Sequence, residues 1–459
     1  MASAPAQSSA TASTPIGRYR WLVVTLIFIV YTSAFADRAN IGIALPFIKS
    51  EFRLTNTQAG LLASAFAFAY ASAQIPAAIA LSRFGVRRCL PFFMVATSIV
   101  TLTTSVSRSF EMLIILRVLL GFVEAPLAIA AMTSINNWFP KKEKGTAAGV
   151  LLAATKFAPL LVPPLGAMIL VAFGWRWIFV LLAVPGVLLA VVWAIMVADD
   201  PRTSRFVSAR EADYIAEVDD SPPSDTDATR AGTVKATGRF ATLDRLMRAR
   251  AVAPLDTARG VFASPSLWCV CAGWFLIQGI VGFILTWLPT YLLEVKKFAI
   301  INVGFVAASP FAGAVLGNLL GGIISDRVLG GRRKPTMLMS CGFTIVMMYS
   351  LTGAPNHAIL LSLLLFATGF LLSIGYSTFT IYPSRMTSRK AFPIALALIN
   401  TGGQLGTALF PLMTGVLLDR YDWSVVFIAL AASAAVALAI LIFAIEPVED
   451  PRAAAAARG

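Results

Sequence analysis

The sequence predicts an all-α membrane protein with twelve transmembrane helices in two pseudo-symmetric six-helix bundles. Three observations predict it. Apolar runs of about 20 residues, each long enough to cross a bilayer as a helix, recur along the chain. A polar stretch, residues 198–264, divides them into two sets of six. Lysine and arginine crowd into alternate loops, which is how membrane orientation is encoded.

The first observation rests on composition. Of 459 residues, 58% are hydrophobic and only 13% charged, against roughly 25% charged in an average soluble domain. Lipid offers no partners to backbone N–H and C=O groups, so spans are helices or closed barrels. Barrel strands alternate in and out over about 10 residues. The runs here are continuous and longer, which selects helices.

In order, the first half reads 20–46, 57–81, 88–106, 110–138, 145–172 and 176–197. The second reads 265–293, 301–325, 335–353, 357–382, 391–416 and 423–445. Before them, residues 1–19 are Ser/Ala/Thr-rich and expected to be disordered. They lack a basic run ahead of a short apolar core, so no cleavable signal is expected. The middle segment 198–264 carries Ser221-Pro222-Pro223-Ser224 and cannot span, and residues 446–459 form a polar tail.

Orientation follows from the basic residues. With the N-terminus cytoplasmic, the inner loops hold Arg83, Arg87 and Arg88, then Lys141, Lys142 and Lys144, then Arg327, Arg332, Arg333 and Lys334, then Arg385, Arg389 and Lys390. The outer loops hold far fewer, so both termini are expected inside, in the inner membrane. The same distribution accounts for the net charge of +14 without a nucleic-acid partner. The four cysteines, Cys89, Cys269, Cys271 and Cys341, read as free thiols in helices. No metal or other cofactor is expected.

The halves repeat weakly. Ser82-Arg83-Phe84-Gly85-Val86-Arg87-Arg88 follows the second span of one half, and Asp326-Arg327-Val328-Leu329-Gly330-Gly331-Arg332-Arg333 follows the second span of the other. Trp175 to Phe179 and Trp423 to Phe427 open the last span of each half with the same spacing. Parallel repeats of this kind mark transporters that rock one half against the other around a midplane site.

Further motifs are Asp37-Arg38-Ala39-Asn40-Ile41, Phe68-Ala69-Tyr70 with Gln74-Ile75-Pro76, Arg117 with Gly121 and Glu124-Ala125-Pro126, Asn137-Trp138-Phe139-Pro140 with Glu143, Trp175-Arg176, and Thr286-Trp287-Leu288-Pro289-Thr290-Tyr291-Leu292. On these residues the chain resembles the major facilitator superfamily, and within it the anion:cation symporter family of organic-acid transporters, such as those for galactonate, glucarate and hexuronates. The likeness covers nearly everything but the termini and the middle segment.

Ionisable residues inside a span are costly and mark pathways by default. Here they are Asp37, Arg38, Arg117, Glu124 and Lys156. At about 1.5 Å per residue, Asp37 and Arg117 lie at similar depth, roughly a third of the way in from outside. Two carboxylates among several cations suggest proton coupling. Burial disfavours a charged carboxylate and a nearby cation favours it, so an anion that takes the cation promotes protonation. The resemblance implies the same roles: Asp37 and Glu124 as proton carriers, with Arg38 and Arg117 coupled to them or to the solute's carboxylate. A static salt bridge is the alternative. Lys156 stands where related transporters often carry a neutral residue. It contacts a second carboxylate of the solute, pairs with Glu124, or snorkels to the interface.

Tyr70, Gln278, Asn400, Thr401 and Gln404 are polar groups in apolar spans that a polyol would satisfy, although helix–helix hydrogen bonds would serve as well. Tyr376, Ser377, Thr378 and Thr380 are further cavity candidates. Phe35 reads first as packing. Arg83 and Arg87 in one half, and Asp326 and Arg327 in the other, match the superfamily's gating motif, with Ser82 in the place of the first half's aspartate. They read as interlocks at the cytoplasmic face, or as orientation signals alone.

These readings converge on a monomeric secondary transporter that couples inward proton movement to uptake of a small organic anion, a sugar acid or other mono- or dicarboxylate, by alternating access. An exporter or antiporter of the same fold is the alternative. An enzyme is not expected: the lone histidine, His357, falls in a loop, and no glycine cluster forms a phosphate loop.

Overall fold

The computed structural model describes residues 17–220, 241–388 and 390–448. The stretch read as disordered lies mostly outside these, as do Ser221-Pro222-Pro223-Ser224, Arg389 and the tail from residue 449.

The first six spans are α1 (Tyr19–Phe52), α2 (Asn56–Phe84), α3 (Val86–Thr104), α4 (Phe110–Trp138), α5 (Lys141–Phe173) and α6 (Trp175–Met196). The middle segment forms α7 (Ala209–Asp220), α8 (Ala241–Leu246), the strand β1 (Ala249–Ala251) and α9 (Ala258–Ala263). The second half is α10 (Pro265–Glu294), α11 (Ile300–Ile323, extended by a π turn over Ile324–Val328), α12 (Lys334–Ser350), α13 (Ala358–Ser373), α14 (Tyr376–Met386), α15 (Phe392–Leu418) and α16 (Trp423–Phe443). Strand β2 (Glu446–Val448) pairs in parallel with β1.

Among the described residues, eleven helical segments are long and apolar enough to cross a membrane, α13 and α14 counting as one. The 27-residue α15 makes twelve; Asn400, Thr401, Gln404 and Thr407 dilute its hydropathy. Large apolar side chains such as Ile75, Phe92, Leu188, Leu319 and Ile359 face outward, where an acyl-chain environment suits them. The chain is a multi-pass membrane protein.

Two differences from the spans read in the sequence stand out. The first span continues through Pro46 to Phe52. The tenth span, expected as one helix over 357–382, is broken at Ile374 and Gly375 into α13 and α14. The break lies at a close contact with α12. A Cβ on Gly375 would lie 2.8 Å from the Thr336 carbonyl oxygen and from Ser340 Cβ. Only a glycine lets the backbone press this closely on α12. Ser340 Oγ donates to the Leu372 carbonyl, satisfying an oxygen next to the broken ladder, as non-helical backbone at membrane depth requires.

Helix starts are anchored by carboxylates brought from far along the chain. The first N–H groups of any helix lack internal partners and carry partial positive charge. Glu211 of α7 accepts from Tyr19 N (3.2 Å) and Arg20 N (3.1 Å) of α1. Asp419 accepts from Asn56 N (2.8 Å) and Thr57 N (2.9 Å) of α2. Asp199 accepts from Arg87 N of α3 at 2.7 Å. Glu446 accepts from Arg333 N (3.0 Å) and Lys334 N (2.7 Å) at the start of α12. The middle segment is thereby tied to both halves, because Asp244 of α8 also pairs with Arg332 at 2.5 Å.

Glu211 also accepts from Arg20 Nη1 at 3.1 Å, and Arg20 pairs with Glu143 at 2.7 Å. Glu211 is only 1% exposed. Arg20 keeps Glu143 when Glu211 is removed, but the first N–H groups of α1 lose their acceptor, so Glu211→Ala is expected to destabilise the folded protein by about 1–2 kcal/mol. Thermal unfolding in detergent reads this out; an unchanged midpoint would mean α7 is not anchored as described.

The two halves meet at the face where α1 ends and α2 begins, here the far face. Lys49 of α1 pairs with Glu294 of α10 at 3.0 Å. Gly60 of α2 lies against the Pro411 carbonyl of α15, and Gly304 of α11 against the Pro163 carbonyl of α5, each where a Cβ would clash. The hydrogen bonds and ion pairs that join the halves cluster at this face, which is closed.

Candidate functional site

Asp37, Arg38 and Asn40 fall within one turn of α1, and successive helical residues point about 100° apart. Asp37 therefore faces α3 and α4, while Arg38 faces α2 and α4. Asp37 is 4% exposed. Its Oδ1 accepts from Thr101 Oγ1 of α3 (3.2 Å) and from Asn40 Nδ2 (3.4 Å). Arg117 of α4 reaches Asp37 through the main chain. Its Nη1 donates to the Asp37 carbonyl oxygen (3.5 Å) and its Nη2 to Asn40 Oδ1 (3.4 Å). Both bonds are longer than the usual 2.9–3.0 Å, so a buried guanidinium is loosely held and retains capacity for an anion.

Arg38 and Glu124 form a tight pair, with Nε to Oε1 at 2.7 Å. Glu124 is 1% exposed and its Oε2 has no hydrogen-bond partner. The Arg38 guanidinium sits 4.2 Å from the centre of the Tyr70 ring and 4.4 Å from that of Phe35. Aromatic faces favour a cation there. Phe35 is thus a platform for Arg38.

Lys156 of α5 is half-buried, with Nζ 3.8 Å from the centre of the Tyr376 ring at the start of α14. The neutral residues divide. Gln278 of α10 has a buried Oε1 without a partner. Asn400 and Thr401 are exposed on α15, next to Gly402 and Gly403, which lie against Cys271 and Trp274. Ser377 Oγ is buried and unpartnered; Thr378 and Thr380 hydrogen-bond to main-chain carbonyls within their own helix segment. A cavity of about 50 Å³ lies between the halves, lined by Arg38, Tyr70, Arg117, Thr286, Gln404 and Thr407.

The loop residues lie far from this cluster. Arg83 and Arg87 flank Gly85, whose φ of +78° makes the tight turn between α2 and α3. Asp199, from beyond α6, sits against Gly85 and supplies the carboxylate that Ser82 cannot. In the second half Asp326 pairs with Arg333 at 2.8 Å, and Arg327 is exposed.

Three contributors escaped the sequence reading, Thr101, Asp199 and Asp419, and Asn40 was named there only as part of the first-span motif. A local signal for the role of Asn40 was its place one turn from Asp37. Asp419 closes the far face by capping α2 and accepting from Thr57 Oγ1 at 2.5 Å. Burial raises the affinity of this carboxyl for protons, but the hydrogen bonds from Thr57 and Asn56 outweigh it and hold it below the usual carboxylate range. A carboxyl lowered in the closed state stabilises that state above its ordinary pKa of about 3.9 and stops doing so as pH falls through the lowered value. Asp419→Ala removes the cap at any pH. With a cap worth about 1 kcal/mol, it is expected to raise far-face opening about fivefold. Labelling of a Thr407→Cys reporter by an impermeant maleimide measures this; equal labelling with and without Asp419 would show that the cap does not hold the face shut.

Comparison with known proteins places this arrangement among transporters. The family model described as the Major Facilitator Superfamily matches residues 27–308 and 298–458. The chain is 27% identical over 441 residues to the probable galactarate/D-glucarate transporter GarP of Escherichia coli (strain K12), covering 93% of this chain and 94% of that protein. It is 28% identical over 432 residues to the D-galactonate transporter of Escherichia coli O6:H1, covering 91% and 94%. Among solved structures, a bacterial homolog of the human lysosomal transporter Spinster, in an inward-facing and occupied conformation, superposes with a TM-score of 0.73 at 16% identity, covering 94% of this chain and 97% of that one.

Proposed function

Because the chain belongs to the Major Facilitator Superfamily, and is a transporter rather than an enzyme, we propose that it couples inward proton movement to uptake of a small organic anion, a sugar acid or other carboxylate. One observation carries this reading: the Arg38–Glu124 pair, buried in the first half with Arg38 lining the cavity between the halves and Glu124 Oε2 bare. The sugar-acid relatives support the substrate class.

The mechanism follows from charge. A cation beside a buried carboxylate favours its charged form, and loss of that cation favours the protonated form. When the solute's carboxylate takes Arg38, Glu124 loses its partner and takes a proton. Arg117, loosely bonded, is the second cation for the anion, and Asp37 behind it is the second proton carrier. Gln278, Asn400 and Thr401, with Tyr70, bind the hydroxyls. A proton bound on one side of the membrane and released on the other then travels with the solute. The present cavity has room for a few waters; a sugar acid enters by separation of the halves. The far face is external and both termini are cytoplasmic, in the inner membrane, so the described conformation is inward-facing. In the outward-facing state Arg83, Arg87, Asp326 and Arg327 close the cytoplasmic face, and the working unit is a monomer. Lys156 also meets the solute.

Uptake into proteoliposomes, with a panel of sugar acids, aldarates and aromatic acids, tests the proposal. Accumulation of one class under an inward proton gradient, lost when the gradient is collapsed, is the expected result. Accumulation only under an outward gradient would replace symport by exchange, the reading for an exporter.

A further inference from the structure

Lys156 of α5 rests on an aromatic ring rather than on a carboxylate. Glu124 is paired with Arg38, and Asp37 is bonded by Thr101 and Asn40. Lys156 lies outside the lining of the small cavity beside Arg38; its contact with Tyr376 sets it between α5 of one half and α14 of the other. Counted along their helices from the face where α1 starts, Lys156 and Glu124 both lie about 21–22 Å deep.

The ring beneath Lys156 belongs to the other half. Tyr376 is the first residue of α14, directly after the break at Ile374 and Gly375. It packs edge-on against Trp274 of α10, with centroids 4.6 Å apart, and Trp274 packs in turn on Phe379 at 4.9 Å. The contact therefore joins α5 of one half to a discontinuous helix of the other, deep between them.

We propose that Lys156 is the receptor for a second carboxylate on the solute, parked on Tyr376 until a dianion arrives. This rests on the organic-anion reading above. Three cations and two carboxylates leave one uncompensated positive charge when both carboxyls are ionised, and two when one is protonated. The second state matches a dianion that enters with one proton. In a low-dielectric cavity a charge pair is much stronger than a contact with an aromatic face. A carboxylate thus draws Lys156 off Tyr376, exchanging a contact that bridges the halves for one with the solute. A monoanion held at Arg38 and Arg117 leaves the bridge in place. The solute's charge thereby acts on the break in the tenth span.

The test uses the full chain in proteoliposomes and measures exchange without a proton gradient, so that it does not depend on coupling. The probes are a six-carbon aldarate, with two carboxylates, and the matching aldonate, with one. The wild type is expected to show the lower KM for the aldarate. Lys156→Gln is expected to raise the aldarate-to-aldonate ratio of KM about tenfold or more, the loss of one charged hydrogen bond. Lys156→Arg, which keeps the charge, is expected to restore the preference. If Lys156→Gln changes both KM values equally, or neither, the second-carboxylate role is overturned while organic-anion transport stands. If neither acid exchanges in the wild type, the inference and the substrate class both fall.

Discussion

Glu124→Gln is expected to abolish concentrative uptake. A gradient of one pH unit is worth about 1.4 kcal/mol per proton, or about tenfold in solute concentration. The wild type should approach that ratio with one proton per turnover, and the variant should stop at equal concentrations inside and out. The amide keeps the shape of the side chain and can still accept from Arg38 Nε, but it cannot carry a proton. Exchange of labelled for unlabelled solute needs no net proton movement and is expected to persist. Asp37→Asn should behave alike, because Thr101 and Asn40 can hydrogen-bond to an amide oxygen as they do to Oδ1. Radiolabel accumulation under an imposed gradient measures both, and a variant that still concentrates solute removes its residue from the proton path.

Arg38→Ala should have the largest effect on the protein itself. It leaves Glu124 in a site 1% exposed with no cation in contact. Breaking a buried pair from one side costs about 3–5 kcal/mol. Both thermal stability and transport are expected to fall. Adding Glu124→Gln removes the stranded charge, so the double variant should regain most of the stability and none of the transport. Melting curves of the two single variants and the double variant, set beside uptake, read out both effects. A double variant no more stable than Arg38→Ala would show that the pair does not bear on stability as described.

The span pattern was legible because lipid imposes it: a run of apolar residues about 20 long has few alternatives. The charged site residues were legible for the same reason, since Asp37, Arg38, Arg117, Glu124 and Lys156 stand out in apolar spans. Their pairing was less so. Depth along the helices brings Asp37 level with Arg117, yet the ion pair is between Arg38 and Glu124. A step of one residue turns a side chain by about 100°, and which neighbour it then meets depends on how α1 is rotated against α2, α3 and α4. The break between α13 and α14 was hidden too. Gly375 sits in an apolar run like many other span glycines, and Gly369 and Gly406 press on neighbouring backbone even more closely within unbroken helices, so no local signal marks the break. The carboxylates that cap α1, α2, α3 and α12 come from as far as 363 residues away, beyond any local pattern.

Proton movement driven by the solute separates symport from every other way of moving it. Proteoliposomes loaded with a pH-sensitive dye, with no imposed gradient, receive an external sugar acid at matched pH. With symport, the lumen acidifies, the acidification saturates with solute concentration, and it disappears in Glu124→Gln. Uptake of labelled solute with no change in lumenal pH would contradict symport, and would leave Glu124 and Asp37 as structural groups in a transporter driven by something else.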